Sequence, residues 1–174
     1  VAISDGMGNG TRAREESQEA LKLLQQLLQS GMEGETAVKT VNSILSMRTT
    51  DEMYATVDLA LVDLDTARTT FLKIGSTPSF IKRGNEVIPV HASNVPIGIL
   101  QDIEVETVAE RLLPGDILIM MTDGLYDAPQ FAANKEVWMK RAIQEIRIRD
   151  PQAMADLLLE KVIRTSDGTI PDDM

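Results

Sequence analysis

Aspartates beside glycines are the residues of this sequence whose types and spacing could do chemistry. Asp5-Gly6 and Asp123-Gly124 each follow a short apolar run, and Asp172-Asp173 stands near the end of the chain. Because glycine frees the backbone to turn, each pattern predicts a carboxylate held where a buried strand ends. Strand ends of one sheet converge in space. Oxygen ligands of this kind, with the Gly6 carbonyl beside them, favour Mg²⁺ or Mn²⁺, although an isolated Asp-Gly pair is more often a turn.

Other residues of the sequence allow functions other than metal binding. The glycines that follow Asp5 superficially match a phosphate cradle, but a carboxylate before the first glycine would repel a pyrophosphate. Arg12 and Arg14 could meet an anionic substrate, or could be solvated arginines on a helix face. His91 is the single histidine of the chain, so a histidine-based catalytic triad has no redundancy, and we interpret His91 as a bystander.

Composition narrows the class of protein. The chain has 174 residues, 43% of them hydrophobic, which predicts one globular domain with a full core. A formal charge of −10 argues against a nucleic-acid surface and is compatible with an acidic cluster that collects divalent cations. No signal peptide or membrane span is visible in the sequence. The chain opens inside an apolar strand, and we expect the domain to be truncated at both ends.

Periodicity predicts helices, then a meander of strands, then helices. Two amphipathic helices joined by a short link should form an antiparallel hairpin, the first closed by Gly31. The turns at 83–86 and 113–116 indicate antiparallel pairing, and the very apolar run 117–121 predicts a central, buried strand. The predicted helices are 11–30, 35–47, 135–148 and 151–164; the predicted strands are 54–63, 70–74, 80–82, 87–90, 105–112 and 117–121; a loop is predicted after residue 124.

Three aspartates carry further expectations. Asp58 lies within a predicted strand and would need a partner if it were buried. Asp63 is expected to be a turn residue at the end of that strand, and Asp150 is expected to cap the last helix before Pro151. The element order favours an α+β fold in which two packed antiparallel β-sheets are flanked by α-helices.

Several motifs together resemble the metal-dependent PP2C-type serine/threonine phosphatases, and the resemblance extends over the whole chain. Each motif is weak alone, but their combination is specific. The motifs are Val1-Ala2-Ile3-Ser4-Asp5-Gly6-Met7-Gly8-Asn9-Gly10, Gly75-Ser76-Thr77-Pro78, Leu113-Pro114-Gly115-Asp116, Thr122-Asp123-Gly124-Leu125 and Asp172-Asp173-Met174, with Arg48-Thr49-Thr50-Asp51-Glu52 and Trp138-Met139-Lys140-Arg141 between them.

The resemblance implies a fold, a site and a reaction. The fold would be an αββα sandwich, with residues 1–174 as one phosphatase domain. Asp5 would bridge two Mn²⁺ or Mg²⁺ ions, with the Gly6 carbonyl, Asp123 and Asp172 as the remaining ligands, and Asp5 and Asp123 would act in catalysis through a metal-activated water. The family has a further metal-ligating aspartate and a further strand, which would lie before Val1 and after Met174.

The resemblance also implies a biological setting. The substrate would be a phosphorylated anti-anti-sigma factor, whose dephosphorylation on serine activates a sporulation sigma factor. The helix hairpin 11–47 would be a regulatory element and a possible homodimer interface. The domain would be cytoplasmic, without nucleic-acid partners or direct membrane contact, in a protein of the cell membrane or septum. A non-catalytic regulatory or protein-binding module on the same fold is the alternative.

Overall fold

The computed structural model describes residues 1–6, 11–47, 54–91, 95–100 and 103–166. The chain folds into two units, each with its own antiparallel sheet and helices. The first unit consists of Val1–Ser76 and His91–Arg111, and the second consists of Thr77–Val90 and Leu112–Met174. The predicted α+β class with antiparallel sheets and helices is confirmed.

The elements follow the predicted order. The strands are β1 (Ala2–Ile3), β2 (Val57–Val62), β3 (Arg68–Ile74), β4 (Ser79–Arg83), β5 (Glu86–Val90), β6 (Thr107–Arg111) and β7 (Ile117–Ile119). The helices are α1 (Thr11–Gln29), α2 (Gly34–Ser46), α3 (Asp123–Asp127), α4 (Lys135–Glu145) and α5 (Pro151–Thr165).

The sheet of the first unit has the order β1-β2-β3-β6. Its register places Asp58 of β2 directly opposite Lys73 of β3. Residues 57–60 of β2 are all buried. The charged residue among them is Asp58, and Lys73 neutralises it and so allows this face of the strand to be buried as well.

The helices of the first unit form the predicted hairpin. Gly31 has φ +87°, and the Met32 N–H donates to the Leu27 carbonyl (3.1 Å), which together end α1 in the left-handed turn that glycine favours. The Glu33 carboxylate accepts from the Thr36 N–H (3.1 Å) at the start of α2. Apolar residues of both helices and of the sheet make one core: Ala20, Leu24, Ala37, Val38, Val41, Leu45, Val57, Leu59, Leu72 and Ile74.

The sheet of the second unit has the order β5-β4-β7. The predicted hairpin between β4 and β5 is present, with Gly84 at φ +59° in its turn and with Pro89 of β5 opposite Phe80 of β4. The prediction of a central, buried strand at 117–121 is wrong. Among the described residues β7 pairs with β4 alone, and its side chains are half-buried, because a three-residue strand at a sheet edge is covered on fewer sides.

Helices α4 and α5 of the second unit begin at side-chain caps. The Asn134 side chain accepts from the Val137 N–H at α4, and the Asp150 carboxylate accepts from the Ala153 N–H (2.8 Å) at α5, as predicted. The end of α4 comes earlier than predicted, since Ile146 has ψ 116° and leaves the helix. The second core contains Phe80, Val87, Met121, Met139, Ala142, Ile143, Met154, Leu158 and Val162.

Within the described ranges, no helix is both long and apolar enough to cross a bilayer.

Candidate functional site

Asp5 lies just beyond β1, on backbone that the neighbouring strand fixes. The Thr56 N–H donates to the Asp5 carbonyl (2.7 Å), and the Asp5 N–H donates to the Thr56 hydroxyl (3.1 Å). The carboxylate-bearing residue itself is only partly buried. Asp5 is therefore held on an ordered strand end with access to solvent, as the sequence predicted. Sequence reasoning did not identify Thr56 as its anchor, because that pairing spans about 50 residues of chain.

Gly6 continues the strand and allows α1 to approach it. It forms an isolated antiparallel bridge with Ala55, and the bond from the Thr56 N–H to the Asp5 carbonyl flanks that bridge. In this pattern the Gly6 N–H and C=O point away from Ala55. A Cβ at Gly6 would lie 1.9 Å from the Ala13 carbonyl oxygen of α1. The absence of a side chain is thus required for packing, and the Gly6 carbonyl is directed away from Ala55.

Asp123 begins α3 in the second unit. Sequence reasoning predicted a loop after residue 124, but the first residues of that stretch are helical: Thr122 is the N-cap residue of a five-residue helix. The segment is secured by the Thr77 hydroxyl, which donates to the Met121 carbonyl (2.8 Å). Asp123 is exposed and Gly124 is buried. The Asp123-Gly124 pair thus presents its carboxylate to solvent on an ordered turn of helix.

Tyr126 lies on α3 with Asp123. Its ring is 6.5 Å from that of Phe80, centroid to centroid. Burial, with smaller contributions from Glu136 and Asp127, raises the pKa of Tyr126 above its usual range. The phenol is therefore neutral at physiological pH and can offer an O–H donor beside this helix.

The remaining predicted residues are placed to different degrees. Arg14 is exposed on α1, and Arg12 belongs to the same helix. His91 follows β5 and is exposed. Asp172 lies outside the described residues, as do the Gly8 and Gly10 positions of the opening motif. The phosphate contact of the arginines and the metal role of Asp172 stay predictions.

The donor chemistry of the candidate residues fits a hard divalent cation. Asp5, the Gly6 carbonyl and Asp123 offer oxygen ligands, without the thiolate or imidazole that softer metals prefer. Across the described ranges, no group of three or more His, Cys, Asp or Glu side chains is arranged to hold a metal ion. The predicted ligand set also includes the backbone carbonyl of Gly6 and the carboxylate of Asp172, which lies outside these ranges.

Asp58, which is buried, and Asp63, which is exposed, have structural partners in the first unit. Lys73 donates to the Asp58 carboxylate (2.5 Å), and both side chains are almost fully buried. This confirms that a buried Asp58 has a partner. Asp63 is a turn residue as predicted, because its carboxylate accepts from the backbone N–H groups of Asp65 and Thr66. These contacts hold the β2–β3 pair together, so neither aspartate is a candidate metal ligand.

Comparison with known proteins identifies the family. The profile of the family described as stage II sporulation protein E (SpoIIE) matches residues 1–174. The chain belongs to the SpoIIE family. Stage II sporulation protein E of Bacillus subtilis (strain 168) is 57% identical over 174 residues, which are 100% of this chain and 21% of that protein. The chain thus spans about a fifth of this curated SpoIIE relative.

Structural and more distant relatives agree with the SpoIIE assignment. A structure of the PP2C phosphatase domain and a fragment of the regulatory domain of Bacillus subtilis SpoIIE has a TM-score of 0.92 and 57% identity, covering 99% of this chain and 51% of that chain. Phosphoserine phosphatase RsbU of Bacillus subtilis (strain 168) is 20% identical over 176 residues, covering 99% of this chain and 52% of that protein. The predicted PP2C resemblance is confirmed, and PP2C phosphatase domains are metal-dependent.

Proposed function

We propose that this chain is the catalytic phosphatase domain of a metal-dependent phosphoserine phosphatase. The observation that carries the proposal is the match of the whole chain, at 57% identity, to a SpoIIE protein whose corresponding structure is a PP2C phosphatase domain. The likeness to a phosphoserine phosphatase supports serine as the phosphorylated residue. The ordered positions of Asp5 and Asp123 are compatible with this role.

We propose Asp5, the Gly6 carbonyl, Asp123 and Asp172 as ligands of two Mn²⁺ or Mg²⁺ ions. Such ions, when bound, lower the pKa of a coordinated water and neutralise charge on the transferring phosphoryl group. The chain itself contributes position. Thr56 fixes the backbone of Asp5, and the start of α3 fixes Asp123, so that both carboxylates can bind without first being ordered. Arg12 and Arg14 would attract the phosphate group.

The substrate that fits the family is a serine-phosphorylated anti-anti-sigma factor, whose dephosphorylation would activate a sporulation sigma factor. The hairpin 11–47 would regulate the domain and could pair two copies of it. Residues 1–174 would form one domain on the cytoplasmic side of a protein of the membrane or septum. The RsbU relative supports the class of substrate. The chain covers about a fifth of the SpoIIE relative and about half of RsbU, so the regulation, pairing and location of the whole protein are proposals.

The test is metal-dependent hydrolysis of a phosphoserine protein. Turnover should require Mn²⁺ or Mg²⁺ and should stop on addition of a chelator. Asp5→Asn and Asp123→Asn should each lower turnover by about 100-fold or more. Loss of a residue that only orients a metal ligand typically costs about 10- to 100-fold, and loss of the ligand itself should cost more. Asp65→Asn is the matched control, since Asp65 is an exposed turn residue.

Two results would refute the assignment. Unchanged turnover in either ligand variant would exclude the proposed site. Tight binding of the phosphoprotein without metal-dependent turnover would instead favour the non-catalytic binding module.

A further inference from the structure

A basic cleft lies in the second unit, at the end of its sheet opposite to Asp123. The cleft has a volume of about 440 Å³ and is formed by the end of β4 with its hairpin turn, the turn at 113–116, and the segment 144–149. Lys82 of β4 is the register partner of Ile117, the first residue of β7. Asp123 follows the other end of β7. The cleft and the proposed catalytic residue therefore lie at opposite ends of the same strand.

The charge of the cleft is opposite to that of the protein. Lys82, Arg83, Arg147 and Arg149 line it, and Asp116 is the acidic lining residue. The whole chain carries a formal charge of −10. Long-range electrostatics would therefore repel an anion, and any anion bound here must be held by short-range contacts.

Asp116 does not neutralise the cleft, because Arg83 already engages it. Arg83 donates to the Asp116 carboxylate through Nη2 (2.7 Å) and through Nε (3.2 Å). The same carboxylate accepts from the Leu113 N–H (2.8 Å), and its side chain is 3% exposed. These bonds engage Asp116, which is the acidic residue among the described lining, so Lys82, Arg147 and Arg149 give the cleft a net positive charge.

Lys82 is a buried cation whose ammonium is held by carbonyl oxygens. The residue is 7% exposed, and Nζ donates to the carbonyls of Ile143 (2.9 Å) and Gln144 (3.4 Å) in the last turn of α4. In the described part of the chain, no carboxylate lies within 4 Å of this ammonium. Burial lowers the pKa of Lys82. A bound anion would supply the counter-charge that the carbonyl dipoles provide only in part.

Hydrogen bonds hold two walls of the cleft in place without a ligand. Pro114 and Gly115, at φ +89°, form a type II turn closed by the bond from the Asp116 N–H to the Leu113 carbonyl (2.9 Å). The Gln144 side chain donates to the Asn85 carbonyl (2.9 Å) and so ties the hairpin turn to α4. Arg147 and Arg149 project from an extended segment between α4 and α5, where both are exposed. Binding an anion would therefore require ordering of these two side chains alone.

We propose that this cleft binds an oxyanion, a phosphate or a carboxylate group, at a second site separate from the catalytic end of the domain. Lys82 and the Arg83–Asp116 pair form its base, and Arg147 with Arg149 close over the anion. Leu113, Ile146 and Ile148 supply apolar walls. An anionic group attached to an aliphatic body, such as an acidic side chain in a peptide, fits this lining as well as free phosphate does.

The test measures binding of inorganic phosphate and, separately, of a tetraglutamate peptide, in buffer with a chelator so that metal ions play no part. The variant is Arg147→Gln/Arg149→Gln, which leaves the buried base intact. The matched control is Arg141→Gln, an exposed arginine on α4 outside the cleft. Loss of the two cationic contacts should weaken binding by about tenfold or more. Arg141→Gln and Asp123→Asn should bind as the unsubstituted protein does.

Each outcome decides the proposal. Saturable phosphate binding that falls in the double variant alone supports a phosphate source, and the same result with the peptide alone supports a carboxylate source. Absence of saturable binding of both probes would overturn the proposal. An equal loss in Arg141→Gln, or no loss in the double variant, would do the same. Because Asp123→Asn is expected to bind normally, failure of this site and failure of the proposed phosphatase function can be told apart.

Discussion

At the scale of single residues, the first unit contains an almost fully buried ion pair of Lys73 and Asp58. The two side chains are 1% and 2% exposed, and they lie directly opposite each other on β3 and β2. Burial lowers the pKa of Lys73, while attraction to Asp58 opposes that shift. The pair compensates for charges that the fold would otherwise bury alone, so its two members depend on each other.

Removal of one partner should therefore cost much more than removal of both. Lys73→Met is expected to lower the free energy of unfolding by about 3–5 kcal/mol, since it leaves a buried carboxylate uncompensated. Asp58→Leu/Lys73→Met should recover most of this loss. Urea denaturation measures both. The control is Lys39→Met, which breaks a half-exposed pair with Glu35 and should cost no more than about 0.5 kcal/mol. Equal effects at Lys73 and Lys39 would contradict the argument.

Asp116 predicts a pH dependence of stability. Hydrogen bonds from Arg83 above all hold the pKa of Asp116 below its usual range. A carboxyl whose folded-state pKa is depressed stabilises the fold fully above its unfolded pKa of about 3.9, and loses this as pH falls through the folded value. The difference in unfolding free energy between the unsubstituted protein and Asp116→Asn should thus shrink below about pH 4.

The check is a series of denaturation curves at falling pH. Arg83→Met should remove most of the pH dependence, because Arg83 is its main cause. A gap of constant size across the acidic range would show that Asp116 acts only through packing.

At this scale the sequence predicted which residues need a partner, but it did not predict which residue the partner is. It indicated that Asp58 requires a partner if buried, but could not name Lys73, since the register that joins β2 to β3 is set by tertiary pairing. Lys82 was not singled out, because a lysine in a strand is usually solvated. Asp5 and Asp123 were predicted as site residues because glycine beside a carboxylate is a local signal.

At the scale of elements, Gly6 governs how α1 meets the strand that carries Asp5. A Cβ at this position would overlap the Ala13 backbone, which cannot rotate away as a side chain could. We expect Gly6→Ala to displace the start of α1 and to lower the free energy of unfolding by about 1–3 kcal/mol. Phosphatase turnover should fall as well, since Asp5 precedes the displaced residue.

Gly31→Ala is the matched control for Gly6→Ala. It also places a Cβ on a glycine, but nothing lies within 4 Å of that Cβ, and only the positive φ opposes it. Its cost should be about 1–2 kcal/mol in stability without loss of turnover. Thermal denaturation with activity assays separates the two. Full activity in Gly6→Ala would show that the site does not depend on this contact.

Elements with local signals were predicted well, and short ones were not. The hairpin turn at Gly84, the end of α1 at Gly31 and the cap of α5 at Asp150 each rest on residues adjacent in sequence. The helix α3 has five residues, too few to show a helical period. The burial of β7 was misjudged because hydrophobicity indicates a need for cover without showing what covers the strand.

At the scale of the whole molecule, the non-selective attraction of cations by the excess of acidic residues differs from binding at a specific metal site. With 27 acidic and 17 basic residues, the surface attracts divalent cations without selecting among them. A specific site, in contrast, stabilises the folded state by mass action and depends on particular ligands.

Divalent metal should therefore raise the unfolding temperature through the proposed ligands. At a free Mn²⁺ concentration about 100 times the dissociation constant, the stabilisation is about 2.7 kcal/mol, a rise of roughly 5–10 °C for a chain of this size. Asp5→Asn should abolish the rise, and Asp65→Asn should keep it. Differential scanning calorimetry with and without chelator measures it. A rise that persists in Asp5→Asn would assign the effect to the general acidic surface.

Pro89 has a consequence for how this protein behaves at high concentration. It lies in β5, which pairs with β4 alone among the described strands, opposite Phe80. Counted from the two-residue turn, this is a position that makes no ladder bonds to β4, so the missing N–H falls on the outer side of the strand. A strand of another molecule that paired with the outer side of β5 would lack one backbone N–H donor, at Pro89. We therefore expect Pro89 to disfavour edge-to-edge aggregation at β5 without the loss of a hydrogen bond to β4.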